Sequence, residues 1–507
     1  MSRYLCKSLK IYLRLSGHWP PGEKILYVIG MAHAPRRYGS IKVRAERSSV
    51  MSRALFKFHD LITVRETEGW PMLLAAVAAL LWANSPWSDS YHAAIETAMS
   101  LDLHVVAFED HLQGWIDDAF LPLFFFLIGL EIKHEVVRGE LSGLKRAAMP
   151  VIIGFTGVML PIAIYVLFNT GTPYARGWGV PVATDVAFSL AVLSLLGNRV
   201  PPELKILLVA FAAVDDIVGV LIIAFFYSEH IVIMALVVAL AILIIMWVLA
   251  NAQVANPVLY AFLGLALWGA MFKSGVHTTI AGVMAGLVVP AKPVLSRAEF
   301  RPAAERLVDQ FQEVRKRLGR IVSKRDKSPE DVELEEELKN EQDGILGEVE
   351  ELARSTESPV ERLIRGLNPW LSYVVLPLFA LVNAGITFGN FHPSQVFTST
   401  AALGVFWGLL LGKPLGIVGG TWFAMRLGIA RLPGEVRFTH VIGMGLVAGM
   451  GFTVSLFISS LAFTTEPVHD LSRLAVLAAS LVSGIAGWCF LSLVSNKEAA
   501  ESSPRKE

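Results

Sequence analysis

Charge-poor apolar runs recur along the chain at lengths near the roughly 20 residues that an α-helix needs to cross hydrocarbon. They predict spans at about 70–85, 117–131, 147–168, 178–196, 203–227, 230–250, 257–272 and 274–290, then, after a charged interruption, at 369–386, 399–423, 438–463 and 473–495. This is the pattern of an all-α polytopic membrane protein with about twelve transmembrane helices. Strands of about ten alternating residues, the mark of a membrane β-barrel, are absent from the pattern.

Polar stretches divide the chain further. Residues 1–57 form a basic N-terminal extension, expected to be disordered, without the apolar core and cleavage site of a secretory signal; Met51 would itself begin a plausible protein. Spans one to eight occupy 58–290, a charged insert 291–366, spans nine to twelve 367–495, and a tail 496–507. Within the insert Leu307, Phe311, Val314, Leu318 and Ile321 keep the spacing of a coiled-coil seam. Ser328-Pro329-Glu330 reads as an N-cap, a proline at the first helical position and an acidic first turn. Leu334, Leu338, Ile345, Val349 and Leu352 then predict a second helix, so the insert is expected to be a helical hairpin. A solvated spacer, a regulatory element and a self-association element all fit it.

Basic residues set the orientation. The loop from Ala83 to Gly114 has no Lys or Arg, and neither do 228–230 and 387–400. The opposite loops carry Lys133, Arg138, Lys145, Arg146, Arg199, Arg426, Arg431 and Arg437, so both termini and the insert are expected in the cytoplasm.

Composition narrows the class. Hydrophobic residues make up 54% of the 507 and charged residues 17%, with mean hydropathy +0.54, which excludes an ordinary soluble domain. Zero formal net charge gives no pointer to nucleic acid. Cys6 and Cys489 lie at opposite ends, so neither a disulfide nor a cysteine-built metal site is expected.

The candidate chemistry lies in polar residues within apolar runs. Asp215 and Asp216 sit inside Val209–Ala224, where each carboxylate costs a few kcal/mol on insertion scales and the two repel. Their default role is a cation or proton site; a chance charged pair at a helix end is the plain alternative. About 100° separates neighbouring residues on a helix, so the two need not do the same job. In Pro181-Val182-Ala183-Thr184-Asp185, a half-span punctuated by Gly177, Gly179 and Pro181 meets a polar pair and then a second half-span. An interrupted helix of this kind exposes backbone groups that only a protein-lined or watery cavity tolerates; an ordinary loop outside the membrane is the alternative. Lys413, between Gly412 and Pro414 in mid-span, needs a partner such as Asp215, or must snorkel to an interface. Gly445, Gly449 and Gly451 suggest another broken helix, or close helix packing. Glu131 and Glu135 share a helix face beside His134, as a pH-responsive cluster or a solvated surface would. His277 reads as a packing histidine.

Leu130-Glu131-Ile132-Lys133, Ala183-Thr184-Asp185-Val186-Ala187-Phe188, Val214-Asp215-Asp216, Lys273-Ser274-Gly275-Val276-His277, Asn368-Pro369-Trp370, Leu376-Pro377-Leu378-Phe379-Ala380, Gly412-Lys413-Pro414-Leu415-Gly416 and Gly451-Phe452-Thr453 together resemble the NhaA-type sodium/proton antiporters, in family order, over about 60–495. The departures are the N-terminal extension and the long insert. The resemblance implies inverted repeats of spans three to five and ten to twelve, with spans four and eleven broken; one interrupted span in each half is a sequence pointer to such repeats for which this family is itself a known example. It also implies that Asp216 is the principal Na+ ligand and proton carrier, with Asp215 beside it and paired to Lys413 in one state. Asp185 and Lys413 would balance the half-helix dipoles, Thr184 would lie beside the cation, and Glu131 and Glu135 would sense pH. The implied activity is electrogenic Na+/H+ antiport, regulated by pH, with Li+ also carried and no cofactor, in the plasma (inner) membrane. Lipid and a second copy of the chain are the expected partners. An intramembrane aspartyl protease would want Gly-x-Gly-Asp, whereas Ala212-Ala213-Val214 precedes Asp215. A proton- or sodium-coupled symporter on a similar fold is the alternative transporter, and a sensor built around the insert the alternative outside transport.

Overall fold

The computed structural model describes residues 69–502 apart from 103–106, 229–230, 253, 255–256, 294, 325–327, 391–392 and 464; the extension 1–57 lies outside the described residues. Among the described residues, seven segments are long and apolar enough to cross a bilayer alone: Lys145–Asn169, Ala175–Leu195, Pro202–Phe226, Ile233–Asn251, Pro359–Asn383, Thr400–Arg426 and Pro467–Asn496. An eighth is a pair of helices, Phe438–Ala448 and Phe452–Ala462, bent by 44°. Shorter pieces complete the twelve expected runs: Trp70–Ala83, Val258–Ser274, Thr278–Val288 and the 17 residues Leu121–Val137. In chain order they are spans one (Trp70–Ala83), two (Leu121–Val137), three (Leu144–Asn169), four (Ala175–Val182 and Val186–Leu195), five (Pro202–Phe226), six (Ile233–Asn251), seven (Pro257–Ser274), eight (Thr278–Val288), nine (Pro359–Asn383), ten (Thr400–Arg426), eleven (438–462) and twelve (Glu466–Ser502). The architecture is that of an all-α polytopic membrane protein.

Among the described residues there are three widened π turns, one leading into span two and one within each of spans nine and ten, each ending two residues before a proline. Ile116–Phe120 precedes Pro122, Leu371–Val375 precedes Pro377, and Gly408–Gly412 precedes Pro414. A proline inside a helix offers no N–H and its ring crowds the carbonyl four residues back. The extra residue in a π turn relieves that crowding. The prolines thereby fix where Asp117, Asp118 and Lys413 emerge from their helices.

Between spans one and two, where apolar patterning signals only a loop, the chain forms a helix (Ser88–Ile95) and an antiparallel hairpin. Its strands, β1 (Ala98–Asp102) and β2 (Ala107–His111), pair Ala98 with His111 and Asp102 with Ala107. Tyr91 is buried here, and its hydroxyl donates to the Leu381 and Val382 carbonyls at 2.9 and 3.1 Å. Those carbonyls end span nine and have no intrahelical donor of their own.

The insert folds as two helices, Arg297–Val322 and Pro329–Ser355, around Val314, Ile321, Leu338 and Ile345. Ser296 with Glu299 and Ser328 with Asp331 form capping boxes at their starts. Lys324 and the Ser328 amide, both bonded to Asp331, hold its carboxyl below the usual carboxylate range. A third box, Ser358 with Glu361, starts span nine at Pro359. The boundary at 366 drawn from charge therefore falls within a continuous helix, because Glu361, Arg362 and Arg365 occupy its first turns. The last helix likewise runs through 496 to Ser502.

Spans three, four, five, ten, eleven and twelve pack on one another, and spans one, two, eight and nine form a second group, with six and seven against eight. Glycine permits the tightest approach in the first group. A Cβ on Gly416 of span ten would stand 2.4 Å from the Thr156 carbonyl oxygen of span three.

Candidate functional site

The site is built where spans four and eleven break. Span four runs as a 3₁₀ helix over Ala175–Val182, becomes extended at Ala183, and resumes as an α-helix at Val186 with Asp185 as N-cap. Span eleven stops at Ala448 and restarts at Phe452. Each break satisfies the other's orphan backbone groups. The Ser189 hydroxyl donates to the Val447 carbonyl (3.3 Å), the Thr184 hydroxyl to Ala448 (3.0 Å) and the Asp185 amide to Met450 (2.6 Å). A Cβ on Gly451 would lie 2.9 Å from the Ala183 carbonyl oxygen, so a larger residue would force the two breaks apart.

Asp185 lies across two helix starts. One carboxylate oxygen accepts from the Phe188 amide at 3.1 Å, within its own half-helix. The other accepts from the Thr453 amide at 3.2 Å and the Thr453 hydroxyl at 2.8 Å, at the start of the second half of span eleven. Both half-helices point their positive ends at this buried carboxylate. Thr453 received no role from the sequence; the signal was available, since a hydroxyl two residues past the glycine break stands at a helix start.

Span five contributes the acidic pair. Asp215 is 1% exposed, and both its oxygens accept from the Lys413 Nζ at 2.6 Å, with Lys413 wholly buried. Thr184 also lies against Asp215. Asp216, one residue on, is turned away and only partly buried. Its charged neighbours are Asp215, Glu131, Lys413 and Asp185, and among the described residues no hydrogen bond or ion pair occupies it. The structure therefore brings Thr184, Asp185, Asp215, Asp216 and Lys413 together. Lys413 reaches Asp215 with its ammonium, and among the described residues no hydrogen bond joins that ammonium to the ends of the half-helices.

The two glutamates part company. Glu131 is close enough to Asp216 to act on it electrostatically. Glu135 turns to accept from the Glu140 amide at 3.1 Å, in the turn after span two. Nearby, Arg138 donates to Glu361 at 2.8 Å and His134 stands 3.8 Å from it, joining spans two and nine. His277 meets the Tyr227 carbonyl at 2.9 Å, a contact in which its Nε2 carries the proton.

A second buried polar network escaped sequence reasoning. Asn383, ending span nine, donates to Asp117 of the turn before span two at 2.9 Å and accepts from Gln113 at 3.2 Å. Its carbonyl accepts from Arg473 of span twelve, at 2.7 Å from Nε and also from Nη2, and Arg473 faces Asp470 at 3.4 Å. No local spacing joins residues 90 and 266 positions apart.

A family profile described as Na+/H+ antiporter 1 matches residues 59–491. The chain is 37% identical over 442 residues to the "Na(+)/H(+) antiporter NhaA" of Oleidesulfovibrio alaskensis, covering 87% of this chain and 94% of that one. It is 38% identical over 450 residues to the protein of the same name from Koribacter versatilis, covering 88% and 93%. To "Na(+)/H(+) antiporter NhaA 2" of Sorangium cellulosum it is 39% identical over 437 residues, covering 86% and 89%. A solved structure, the sodium proton antiporter MjNhaP1 from Methanocaldococcus jannaschii at pH 8, aligns over 83% of this chain and 91% of its own with TM-score 0.45 and 11% identity. By the extent of the profile match and the identity to the NhaA proteins, the chain belongs to the NhaA family of Na+/H+ antiporters, which are transporters and not enzymes.

Proposed function

We propose that this chain exchanges Na+ for protons across the plasma (inner) membrane, with Asp216 as the shared carrier. One observation carries the reading: the Lys413 ammonium takes both oxygens of Asp215, while its neighbour Asp216 is only partly buried and, among the described residues, has no hydrogen-bond or ion-pair partner. Na+ is a hard cation that seeks oxygen ligands, and the Asp216 carboxylate can offer them, with Thr184 and Asp215 alongside. A proton on Asp216 removes the charge that attracts Na+. One site thus holds either species, and alternating exposure to the two sides turns the competition into antiport. Li+, smaller and equally hard, is carried as well.

Because Asp215 and Asp216 both gain or lose charge while Lys413 neutralises only one of them, more protons than sodium ions move in each cycle. The exchange is then electrogenic, and each net charge is worth about 2.3 kcal/mol per 100 mV of membrane potential. Asp185 compensates the half-helix dipoles and keeps the crossing closed. Glu131 couples the pH of the cytoplasmic side to Asp216, with Glu135 shaping the same surface. In this reading both termini and the insert are cytoplasmic, and lipid and a second copy are partners.

The test is Na+-, Li+- and K+-dependent dissipation of a pH gradient in everted vesicles. Sodium-dependent exchange is expected, with a higher apparent KM at lower pH because protons compete for the site. A gradient insensitive to both Na+ and Li+ would reject antiport and leave a symporter on the same fold as the reading to pursue.

A further inference from the structure

The insert hairpin packs on itself, its base closed where the Leu295 amide donates to the Ser355 carbonyl at 3.0 Å. Among the described residues, the core shared by its two helices consists of four buried large apolar side chains, Val314, Ile321, Leu338 and Ile345. Two helices alone rarely enclose a sufficient core. The rest of the seam is incompletely covered: Leu307, Phe311 and Leu318 pack against this core from the first helix yet stay half-buried, Val349 and Leu352 on the second helix are half-buried, and Leu334 is 43% exposed.

Charge is segregated between the helices at the turn end. The first helix ends with exposed Arg315, Lys316, Arg317 and Arg320. The second begins with exposed Glu333, Glu336, Glu337 and Glu341. Arg301–Glu305, Lys339–Glu335 and Arg354–Glu350 are ion pairs within one helix, and Lys324–Asp331 bridges the two at the turn. We propose that the hairpin docks on the hairpin of a second copy of this chain, forming a four-helix bundle in which the basic helix of each copy lies beside the acidic helix of the other.

The geometry closes. Two hairpins leaving the same side of a membrane, related by a two-fold axis along their length, place each first helix between the two second helices. Their turn ends are then level, so Arg315–Arg320 of one copy faces Glu333–Glu341 of the other, and the open seams meet on the axis. Such an interface is isologous and stops at two copies. An acidic second helix also disfavours an anionic lipid surface as the occupant.

The test uses the full-length protein in lipid nanodiscs, with Cys6 and Cys489 replaced by Ser and a single cysteine at the exposed position 332, near the turn. A short thiol cross-linker is expected to join two copies in high yield. Reversing the basic group (Arg315→Glu, Lys316→Glu, Arg317→Glu, Arg320→Glu) should cut the yield at least tenfold, as should reversing the acidic group (Glu333→Lys, Glu336→Lys, Glu337→Lys, Glu341→Lys). Mixing the two variants should restore cross-linking between unlike copies, which shows that both hairpins still fold. Absence of cross-linking in the wild type, or its persistence in both reversed variants, would overturn the proposal. So would cross-linking lost when neutral lipid is replaced by anionic lipid, since the basic helix would then belong to the headgroups.

Discussion

Thr453 gives Asp185 two hydrogen bonds on one oxygen, through its amide at 3.2 Å and its hydroxyl at 2.8 Å. This joins the restart of span eleven to the restart of span four, and it sets the distance at which the two broken spans cross. The amide bond survives any substitution except proline, so the hydroxyl can be removed by itself. Thr453→Val should cost about 1.5–3 kcal/mol, the range for a buried bond to a charged group, and raise the KM for Na+. Thr453→Ser should stay close to wild type. Thermal unfolding of the purified protein, read beside transport in vesicles, checks both.

The Asp215–Lys413 pair gives a prediction about stability distinct from transport. Breaking a buried pair from one side strands a charge and typically costs about 3–5 kcal/mol. Lys413→Met alone and Asp215→Asn alone should each lower the melting temperature sharply. The double variant should recover most of it, and equal losses in all three would show that the pair is not the source.

Asp216 should behave in the opposite way. With no hydrogen bond or ion pair among the described residues, it contributes little to holding the fold. Asp216→Asn should leave the melting temperature within a few degrees of wild type and abolish sodium-dependent dissipation of the pH gradient. Undiminished exchange in this variant would remove Asp216 as the carrier.

The two glutamates should separate in a pH titration of activity. Glu131→Gln removes a negative charge near Asp216, which makes proton loss from the site less costly, so the acid limb of the profile should move to lower pH. Glu135→Ala loses its bond to the Glu140 amide; it should keep the wild-type profile and lose about 1 kcal/mol of stability. Identical profiles for Glu131→Gln and wild type would count against coupling.

Arg473 is the strongest test of the second network. Arg473→Met would remove the ion pair with Asp470 and take both donors from the buried Asn383 carbonyl. A loss of about 1–3 kcal/mol is expected from a buried carbonyl left without its donors, read as a lowered melting temperature. Arg473→Lys should fall between this variant and wild type, because an ammonium cannot reproduce the two-pronged donation.

Much of this molecule is legible from residue type and spacing because membrane constraints act locally. A run of apolar residues must be helical so that its own backbone satisfies its polar groups, and an isolated Asp or Lys within one needs a reason. Serine three residues before an acid marks each helix start in the insert, since the capping box uses only neighbours in sequence. Legibility fails where partners are distant. Nothing near Glu135 announces that its carboxylate turns to the Glu140 amide while Glu131 faces span five. Nor does anything near Asn383 announce Arg473.

The sequence by itself determined the helical class, the family, the broken spans and the identities of the buried charges, because each depends on local composition or on motifs in order. Tertiary structure decided which carboxylate Lys413 binds, that Thr453 holds Asp185, that Asp216 is left open, and that the two glutamates differ. Those outcomes depend on which faces of non-adjacent helices meet, and a one-residue rotation of about 100° is enough to exchange Asp215 for Asp216.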